Sequence, residues 1–474
     1  MLSFLDRENT VAQPGFSRWL VPPAALAIHL SIGQIYAYSV FNGPMSRLIG
    51  VSEQAPNDWN QFQIQWIFSV AIVVLGASAA TFGKWLERVG PRMAMFVAAI
   101  CFSGGFFVAA LGVSMHSIWL VYLGSGVLGG VGLGLGYISP VSTLIKWFPD
   151  RPGLATGMAI MGFGGGALLA SPLSETLLGL YSTSNSVGVA PTFITLGVLY
   201  LCLMMFGAFI VRIPAKGWKP SGYNPEAQSK GGMIANINVD ADTAIRTPQF
   251  WLLFAVLFLN VTAGIGVLQQ ASLMIQEMFS VDSVGEAAAV SAAAAAGFVG
   301  LLSIFNMLGR FFWSSVSDYI GRKNTYFIFF ALGAVLYFLI PMFGNMGSVV
   351  LFVLGFCIIL TMYGGGFATI PAYLRDLFGT YEVGAIHGRL LLSWSLAGVA
   401  GPTIINWVRN AQLNSGVPAA QAYSVTMYIM AGLLIIGFVC NFFVTPVDEK
   451  YSVEARENEQ QAPSSSRTSE ATGD

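Results

Sequence analysis

Hydrophobic residues along this chain fall into twelve long runs separated by short polar stretches. Each run has about 20 or more residues, enough to cross the hydrocarbon core of a bilayer as a helix. The pattern therefore predicts twelve transmembrane helices, over residues 19–43, 62–82, 92–112, 117–141, 153–177, 190–211, 249–276, 287–316, 324–343, 348–374, 383–408 and 421–444.

A polar linker at residues 212–248 divides these runs into two sets of six. We therefore expect an N-terminal six-helix bundle over 1–211 and a C-terminal six-helix bundle over 249–445. The last segment, 446–474, is rich in Glu, Gln and Ser, a composition typical of a disordered tail.

Basic residues predict the orientation, because loops rich in Lys and Arg stay in the cytoplasm. If both termini are cytoplasmic, all but three of the 22 Lys and Arg residues lie on the cytoplasmic side. Arg47 and Arg409 are then outside, and Arg310 is inside the membrane. We expect a multi-pass protein of the plasma membrane, the inner membrane of a bacterium, with a cytoplasmic linker and tail.

Composition supports a membrane protein and excludes several other classes. The chain is 55% hydrophobic and only 9% charged, with a mean hydropathy of +0.67. Its net charge of −1 gives no reason to expect a nucleic-acid partner. The four cysteines fall in separate apolar runs without metal-ligand spacing, so neither a zinc site nor a disulfide framework is indicated. Nothing indicates a cofactor or a catalytic constellation, and we expect a monomer that is not an enzyme.

Arg310 is the most deeply placed charge in the sequence. It lies eight residues before Asp318, which puts it roughly 12 Å inside an apolar helix. A charge near the midplane is costly and normally faces a water-filled cavity or a partner. Arg310 is therefore the candidate cation for binding an anion.

A repeated turn joins the second helix to the third and the eighth to the ninth. The first copy is Gly83-Lys-Trp-Leu-Glu-Arg-Val-Gly-Pro-Arg92 and the second is Ser314-Ser-Val-Ser-Asp-Tyr-Ile-Gly-Arg-Lys323. In each, an acidic residue stands three positions before a glycine, with basic residues around it. The repeat predicts two related bundles, and the turn resembles the signature loop of the major facilitator superfamily. The candidate cytoplasmic gate is Glu87, Arg88, Arg92, Asp318, Arg322 and Lys323.

Several further stretches resemble the oxalate/formate antiporter family, which is related to the monocarboxylate transporters. The resemblance covers nearly the whole chain except the tails and the linker. The matching stretches are Gly33-Gln-Ile-Tyr-Ala-Tyr-Ser-Val-Phe-Asn-Gly-Pro44, Lys146-Trp-Phe-Pro-Asp-Arg-Pro-Gly-Leu-Ala-Thr-Gly157, Arg246-Thr-Pro-Gln-Phe-Trp251, Phe305-Asn306 with Arg310 to Trp313 and Ser317-Asp318, and Asp376-Leu-Phe-Gly-Thr380.

The resemblance implies a carboxylate site in which the arginine of the eighth helix binds the substrate and aromatic residues enclose it. Arg310 matches that arginine. The residues implied by the match around it are Tyr36, Tyr137, Tyr363 and Phe367. Independently of any family, arginine offers a two-pronged donor to a carboxylate, and rigid rings exclude water from the pocket.

Two departures from the family pattern bear on the substrate. Where the oxalate-transporting member has a second cation in the eleventh helix, this chain has Trp394. One cation neutralises one negative charge, which favours a monocarboxylate such as lactate, pyruvate or formate over oxalate. Related proton-coupled transporters have an aspartate one turn before the arginine, and here that residue is Asn306.

No carboxylate is found at mid-depth in the predicted helices, so the coupling group is open. His29 lies near mid-depth and is the candidate for carrying a proton, although a packing role is the alternative. The sequence thus predicts a secondary transporter of small organic anions, as proton symporter or anion exchanger. An oxalate/formate antiporter and a nutrient receptor that signals without transport remain alternatives.

Overall fold

The computed structural model describes residues 3–223, 237–285 and 289–461. Twelve helices in this part of the chain are long and apolar enough to cross a membrane, as predicted. They are α1 Arg18–Met45, α2 Gln61–Val89, α3 Pro91–Ser114, α4 Ile118–Trp147, α5 Pro152–Tyr181, α6 Val189–Ile210, α7 Pro248–Met278, α8 Ala292–Ile320, α9 Arg322–Asn345, α10 Val349–Phe378, α11 Val383–Asn414 and α12 Ser424–Phe442.

Side chains at the helix ends explain where several helices begin. Asn60 and Gln63 form a reciprocal cap at the start of α2, with each side chain bonded to the other's backbone N–H. The side chains of Thr247 and Ser291 accept from the first turns of α7 and α8. These caps satisfy backbone donors that have no partner inside a helix.

The repeated turn is built in the same way in both copies. Gly90 separates α2 from α3 with φ 90°, and Gly321 separates α8 from α9 with φ 86°. This left-handed region favours glycine, which explains the glycine in each copy. The helices extend further than predicted, so Asp318 lies in the last turn of α8 and not in a loop.

Three helices depart from regular α geometry. In α1 the segment Gly33–Phe41 is a 3-10 helix, and in α4 the segment Tyr122–Leu128 is a π-helix. In α11 a break at Leu391 separates Val383–Leu390 from Leu392–Asn414. Local changes of helix type such as these are frequent at hinges and functional sites.

The N-terminal half (α1 to α6) and the C-terminal half (α7 to α12) meet along two glycine-rich contacts. A Cβ at Gly157 of α5 would lie 3.0 Å from the carbonyl oxygen of Arg310 in α8. A Cβ at Gly83 of α2 would lie 2.6 Å from the Cα of Ala385 in α11. Glycine therefore brings these backbones together, as small residues do between membrane helices.

The tail differs from the prediction of a disordered segment over 446–474. Val453–Gln461 forms a short helix whose first N–H donates to the carbonyl of Asn238 in the linker, at 2.8 Å. Arg456 pairs with Asp240. These polar contacts fix the first part of the tail to the linker, an effect that composition does not reveal. Residues 462–474 lie outside the described part.

Candidate functional site

Arg310 lies in the middle of the molecule, ten residues or about 15 Å before the end of α8 at Ile320. Two glycines make room for its side chain. A Cβ at Gly164 of α5 would be 2.6 Å from Arg310 Nε, and one at Gly364 of α10 would be 3.1 Å from Arg310 Cγ. The guanidinium is therefore held between helices of the two halves.

The Arg310 guanidinium is fully buried and only partly hydrogen-bonded. Nε donates to Asn306 Oδ1 at 3.2 Å, one turn away on the same helix. Nη1 and Nη2 have no hydrogen-bond partner among the described residues. An unmet buried donor costs about 1–3 kcal/mol, and more when charged. The arrangement therefore fits a cation whose partner is an anion from outside the chain.

Phe163 of α5 is the centre of a ring cluster next to Arg310. Its ring centroid lies 5.1 Å from that of Tyr36, 5.4 Å from that of Tyr137 and 5.4 Å from that of Trp394. The guanidinium carbon of Arg310 lies 5.7 Å from the Phe163 centroid, within reach of a cation–π interaction. The cluster joins α1, α4, α5 and α11 around the guanidinium.

The C-terminal half completes this ring cluster. Phe367 lies 4.7 Å from Trp394 and 5.3 Å from Tyr363, centroid to centroid, and 5.1 Å from the Arg310 guanidinium carbon. The hydroxyls of Tyr363 and Tyr36 approach to 3.5 Å across the two halves. This tyrosine pair covers the site on the side away from the repeated turns.

The remaining unpartnered polar groups at this place are mostly donors. Tyr137 and Trp394 are fully buried, and neither the phenol oxygen nor the indole Nε1 has a partner among the described residues. Both residues and the Arg310 guanidinium lie next to the same Phe163 ring. These buried donors suit a carboxylate, whose oxygens accept only.

Two buried imidazoles border the same cluster. The ring of His29 in α1 lies 5.4 Å from that of Tyr137, and the ring of His387 in α11 lies 5.8 Å from it. Both Nε2 atoms are buried and unpartnered among the described residues. The described residues contain no group of three or more His, Cys, Asp or Glu side chains that could hold a metal ion.

All the residues predicted for the substrate site and for proton coupling fall in this one place. The structure brings together Arg310, Asn306, Tyr36, Tyr137, Tyr363, Phe367, Trp394 and His29. The sequence reasoning missed Phe163 and His387. A signal for Phe163 existed, since it is the one aromatic residue within the glycine-dense stretch 157–166, just as Phe367 follows Gly364-Gly365-Gly366 in α10.

Asp318 links the halves at the end of the bundle that carries the repeated turns, which we call the basic end. Its carboxylate accepts from the backbone N–H groups of Gly153 and Leu154 at 2.9 and 2.8 Å. These lie in the first turn of α5, where the helix dipole favours a negative charge. Asp318 also pairs with Arg322, which in turn bonds Asp376 at 3.2 Å.

Glu87 makes the equivalent link from the N-terminal half. Its carboxylate accepts from the backbone N–H of Gly384, in the first turn of α11, at 3.1 Å. It also pairs with Lys146 of α4 at 2.6 Å. Thus each half extends one acidic residue to a helix start of the other half.

Four predicted gate residues form no hydrogen bond or ion pair between the halves in the described part of the chain. Arg322 bonds Asp318 and Asp376, both in its own half. Arg92 donates to the carbonyls of Phe4 and Val211, both in the N-terminal half. Lys323 donates to the carbonyls of Phe442 and Val444 at the end of α12. Arg88 is exposed and has no ion pair among the described residues. Sequence pattern alone could not show that the acids Glu87 and Asp318 link the halves and that these cations do not.

The linker supplies a bridge that the sequence did not suggest. Asp242 pairs with Lys84 of α2 and with Arg389 of α11, the latter at 2.6 Å. Hydrogen bonds from Lys84 and then from Arg389 lower the pKa of the Asp242 carboxyl to about 2. Asp242 therefore remains charged at neutral pH and holds a helix of each half.

Comparison with known proteins identifies the family. A family model described as Major Facilitator Superfamily matches residues 15–402 and, in an overlapping match, 298–471. The chain belongs to the major facilitator superfamily. Among curated relatives of this superfamily, it is 26% identical to the oxalate:formate antiporter of Oxalobacter formigenes, over 91% of this chain and 92% of that one. It is 23% identical to human monocarboxylate transporter 1, over 85% and 82%. The predicted resemblance is therefore confirmed.

Solved structures support the same fold at low sequence identity. The fucose:proton symporter of E. coli has a TM-score of 0.63 at 12% identity, covering 91% of this chain and 100% of its own. A bacterial homologue of the iron transporter ferroportin, in its outward-facing state, has a TM-score of 0.62 at 14% identity, covering 89% and 98%. The predicted twelve-helix major facilitator fold is confirmed.

Proposed function

We propose that this protein transports small monocarboxylates such as lactate, pyruvate or formate by alternating access, as proton symporter or anion exchanger. The observation that carries the proposal is the buried Arg310 guanidinium, whose two Nη groups have no partner among the described residues. Arginine holds a carboxylate through two parallel hydrogen bonds. The phenol of Tyr137 and the indole N–H of Trp394 would add further donors to the same anion.

The number of cations supports a single negative charge on the substrate. Arg310 is the one Lys or Arg at mid-depth of the twelve described helices, since the others stand near helix ends or in loops. Trp394, which packs on Phe367, occupies the place where the resemblance implies a second cation. A dicarboxylate would leave one buried charge unbalanced, an expensive state.

The surrounding residues have distinct proposed roles. Asn306 holds Nε of Arg310 and so directs the Nη pair towards the substrate. Phe163, Phe367 and Trp394 form the walls of the pocket, and the Tyr36–Tyr363 pair forms its cover. Rigid rings of this kind exclude water and strengthen the charge interaction.

Alternating access would use the links at the basic end. The two halves are hydrogen-bonded at the Tyr36–Tyr363 pair and, at the basic end, through Asp318 and Glu87. We propose that these links hold the side opposite the tyrosine pair shut and must break when the halves rock. We place the basic end in the cytoplasm of a bacterial cell.

Exchange of oxalate and formate is a second candidate. It is favoured by the likeness to the oxalate:formate antiporter over 91% of this chain. The one-cation site favours the monocarboxylate.

Counterflow in proteoliposomes tests the proposal. Vesicles loaded with unlabelled lactate should accumulate labelled lactate, and pyruvate or formate should compete. Oxalate that competes as well as lactate would favour the second candidate. Absence of flux with every acid, in protein that folds and inserts, would contradict transport and favour the receptor alternative.

A further inference from the structure

His29 and His387 are buried, belong to different halves and pack against the same tyrosine. His29 is fully buried in α1, and His387 is 1% exposed in α11. Their ring centroids lie 5.4 and 5.8 Å from that of Tyr137. The proposed function assigns no role to His387, and three polar atoms here, including both Nε2 atoms, are unpartnered among the described residues.

The hydrogen bonding of His29 defines where a proton would bind. Nδ1 lies 3.1 Å from the carbonyl oxygen of Ala25. A carbonyl only accepts, so Nδ1 carries the hydrogen in the neutral ring. Nε2 then has a free lone pair and is the position at which the ring takes up a proton.

We propose that His29 and His387 form a proton-binding pair that takes up one proton when Arg310 holds a carboxylate, so that monocarboxylate and proton move together in a one-to-one symport. This inference rests on the proposed function. The proton passes from water on the side of the tyrosine cover to an imidazole Nε2, and from there to water at the basic end. No other bond forms or breaks.

Electrostatics explains why anion and proton would bind together. Arg310 lies close enough to His29 to interact with its charge, and the two histidines interact with one another. A positive guanidinium opposes a positive imidazole nearby. A bound carboxylate cancels that repulsion, and by linkage the proton strengthens carboxylate binding by the same factor. Two protons would bring three cations to one anion, which limits the pair to one.

Other charged side chains on the helices packed around the pair lie towards the two ends of the bundle. Besides the two imidazoles, the titratable groups in the cluster itself are Arg310, Tyr36, Tyr137 and Tyr363. At the basic end Arg18 pairs with Asp150, Glu87 with Lys146, Asp242 with Lys84 and Arg389, and Asp376 with Arg322 and Arg375. At the opposite end Arg409 of α11 pairs with Glu277, and Glu175 of α5 is exposed. Imidazole is the side chain in the cluster whose unperturbed pKa lies closest to neutral pH.

The position of His387 provides an exit towards the basic end. It lies one turn after Gly384, whose N–H donates to Glu87 at 3.1 Å. Opening that link would therefore bring water to His387 before it reaches Arg310. His387 therefore lies on the gate side of the pair, where a proton can leave on the same movement as the substrate.

Calorimetry on the full chain in lipid nanodiscs tests the inference, with lactate as the probe. Titrations at pH 5.5 to 8 in buffers of different ionisation enthalpy count the protons taken up per lactate. We expect about one proton, and a dissociation constant that rises towards about tenfold per pH unit above the pKa of the pair. The double variant H29Q/H387Q should lose the uptake and the pH slope.

Single variants and a matched control keep the test decisive. H29Q and H387Q are also measured as single variants, so that proton uptake can still be tested in each of them if the double variant folds poorly. H116Q changes the third histidine, which lies just after the end of α3, and should behave like wild type. Its Nε2 lies 3.0 Å from the carbonyl oxygen of Asn57. Thermal melting confirms folding of each protein.

Each outcome separates this inference from the proposed function. If lactate, pyruvate and formate all fail to bind the wild type, the proposed function is wrong. If lactate binds without proton uptake, only the histidine pair is wrong. If H29Q/H387Q still takes up one proton per lactate, the proton travels on the substrate's own carboxyl group, and the pair is again wrong.

Discussion

Glu87 and Asp318 stand at equivalent places in the two halves and do equivalent work, whereas Arg310 has no counterpart in the N-terminal half. Counting eight residues back from each acid leads to Arg310 in α8 and to Ala79 in α2. Ala79 is fully buried, and its carbonyl oxygen would be 2.2 Å from a Cβ at Gly388. The backbones of α2 and α11 are therefore in close contact at this position.

This difference shows which parts of a repeat remain symmetric. The acidic residue is present in both halves, because each acid accepts hydrogen bonds from a helix start of the other half. Under the proposed function a single anion needs one cation, which agrees with a site that has aromatic rings from both halves but a cation from one half only. The N-terminal half contributes Phe163, Tyr137 and His29, and the C-terminal half contributes Arg310.

Removing the asymmetric charge should have the largest effect. Arg310→Ala leaves the carboxylate without a counter-charge in a low-dielectric site, and we expect at least about a hundredfold loss of lactate counterflow, given about 1.5–3 kcal/mol for each charged hydrogen bond. Arg310→Lys keeps the charge but loses the planar fork, and should cost about tenfold or more. Initial counterflow rates are measured at equal protein insertion. Near-normal flux in Arg310→Ala would falsify the central assignment.

Neutralising Asp318 and neutralising Glu87 should open the basic end to different extents. Asp318→Asn should open the basic end more than Glu87→Gln, because Asp318 holds two backbone N–H groups and Arg322 while Glu87 holds one N–H and Lys146. We expect a population shift of about tenfold for Asp318→Asn, from about 1.4 kcal/mol.

Spin labels measure this opening. In a background without native cysteines, labels at Arg88 and Tyr319, both exposed at the basic end, report the distance between α2 and α8. Equal distance distributions in wild type and both gate variants would refute a gating role for the two acids.

Adding a second cation should convert the substrate preference. Trp394→Lys places an ammonium within the ring cluster near Arg310, so a monocarboxylate would leave one charge unpaired. We expect the ratio of oxalate to lactate affinity to rise about tenfold or more. Trp394→Met removes the ring without adding charge and is the matched control. Oxalate that competes strongly in the wild type would contradict the one-cation argument.

Removing the linker bridge should have the smallest effect. Asp242→Asn loses ion pairs to Lys84 and Arg389, and because the Asp242 side chain is 54% exposed we expect about 0–1 kcal/mol of stability. The folded-state pKa of Asp242 is lowered from 3.8 to about 2. Its stabilisation is therefore present above about pH 4 and lost as the pH falls towards 2.

The pH range in which Asp242 titrates differs from the range in which lactate binding is tested, so the effect of the linker bridge can be told apart from that of the histidine pair. Between pH 5 and 8 Asp242 stays charged, so Asp242→Asn should lower the melting temperature slightly and equally across that window. The pH slope of lactate binding should be unchanged. A slope that differs between Asp242→Asn and the wild type would place part of the pH dependence at the basic end.

The amino-acid sequence determined the twelve helices, because bilayer thickness sets the length of an apolar run. It also identified Arg310, because a charge deep in such a run is rare and costly. The repeat around Glu87 and Asp318 was visible because each copy needs its glycine at a positive φ.

Only the tertiary structure decided which residues of different helices meet. His387 is distant in sequence from His29 and stands near a helix end, yet packing of α1 and α11 on α4 brings both rings to Tyr137. Arg92 and Lys323 look like gate residues in sequence, but the carbonyls they contact belong to their own halves. Contacts between helices depend on rotation and crossing, and hydrophobic periodicity alone does not specify either for helices that are apolar nearly all round.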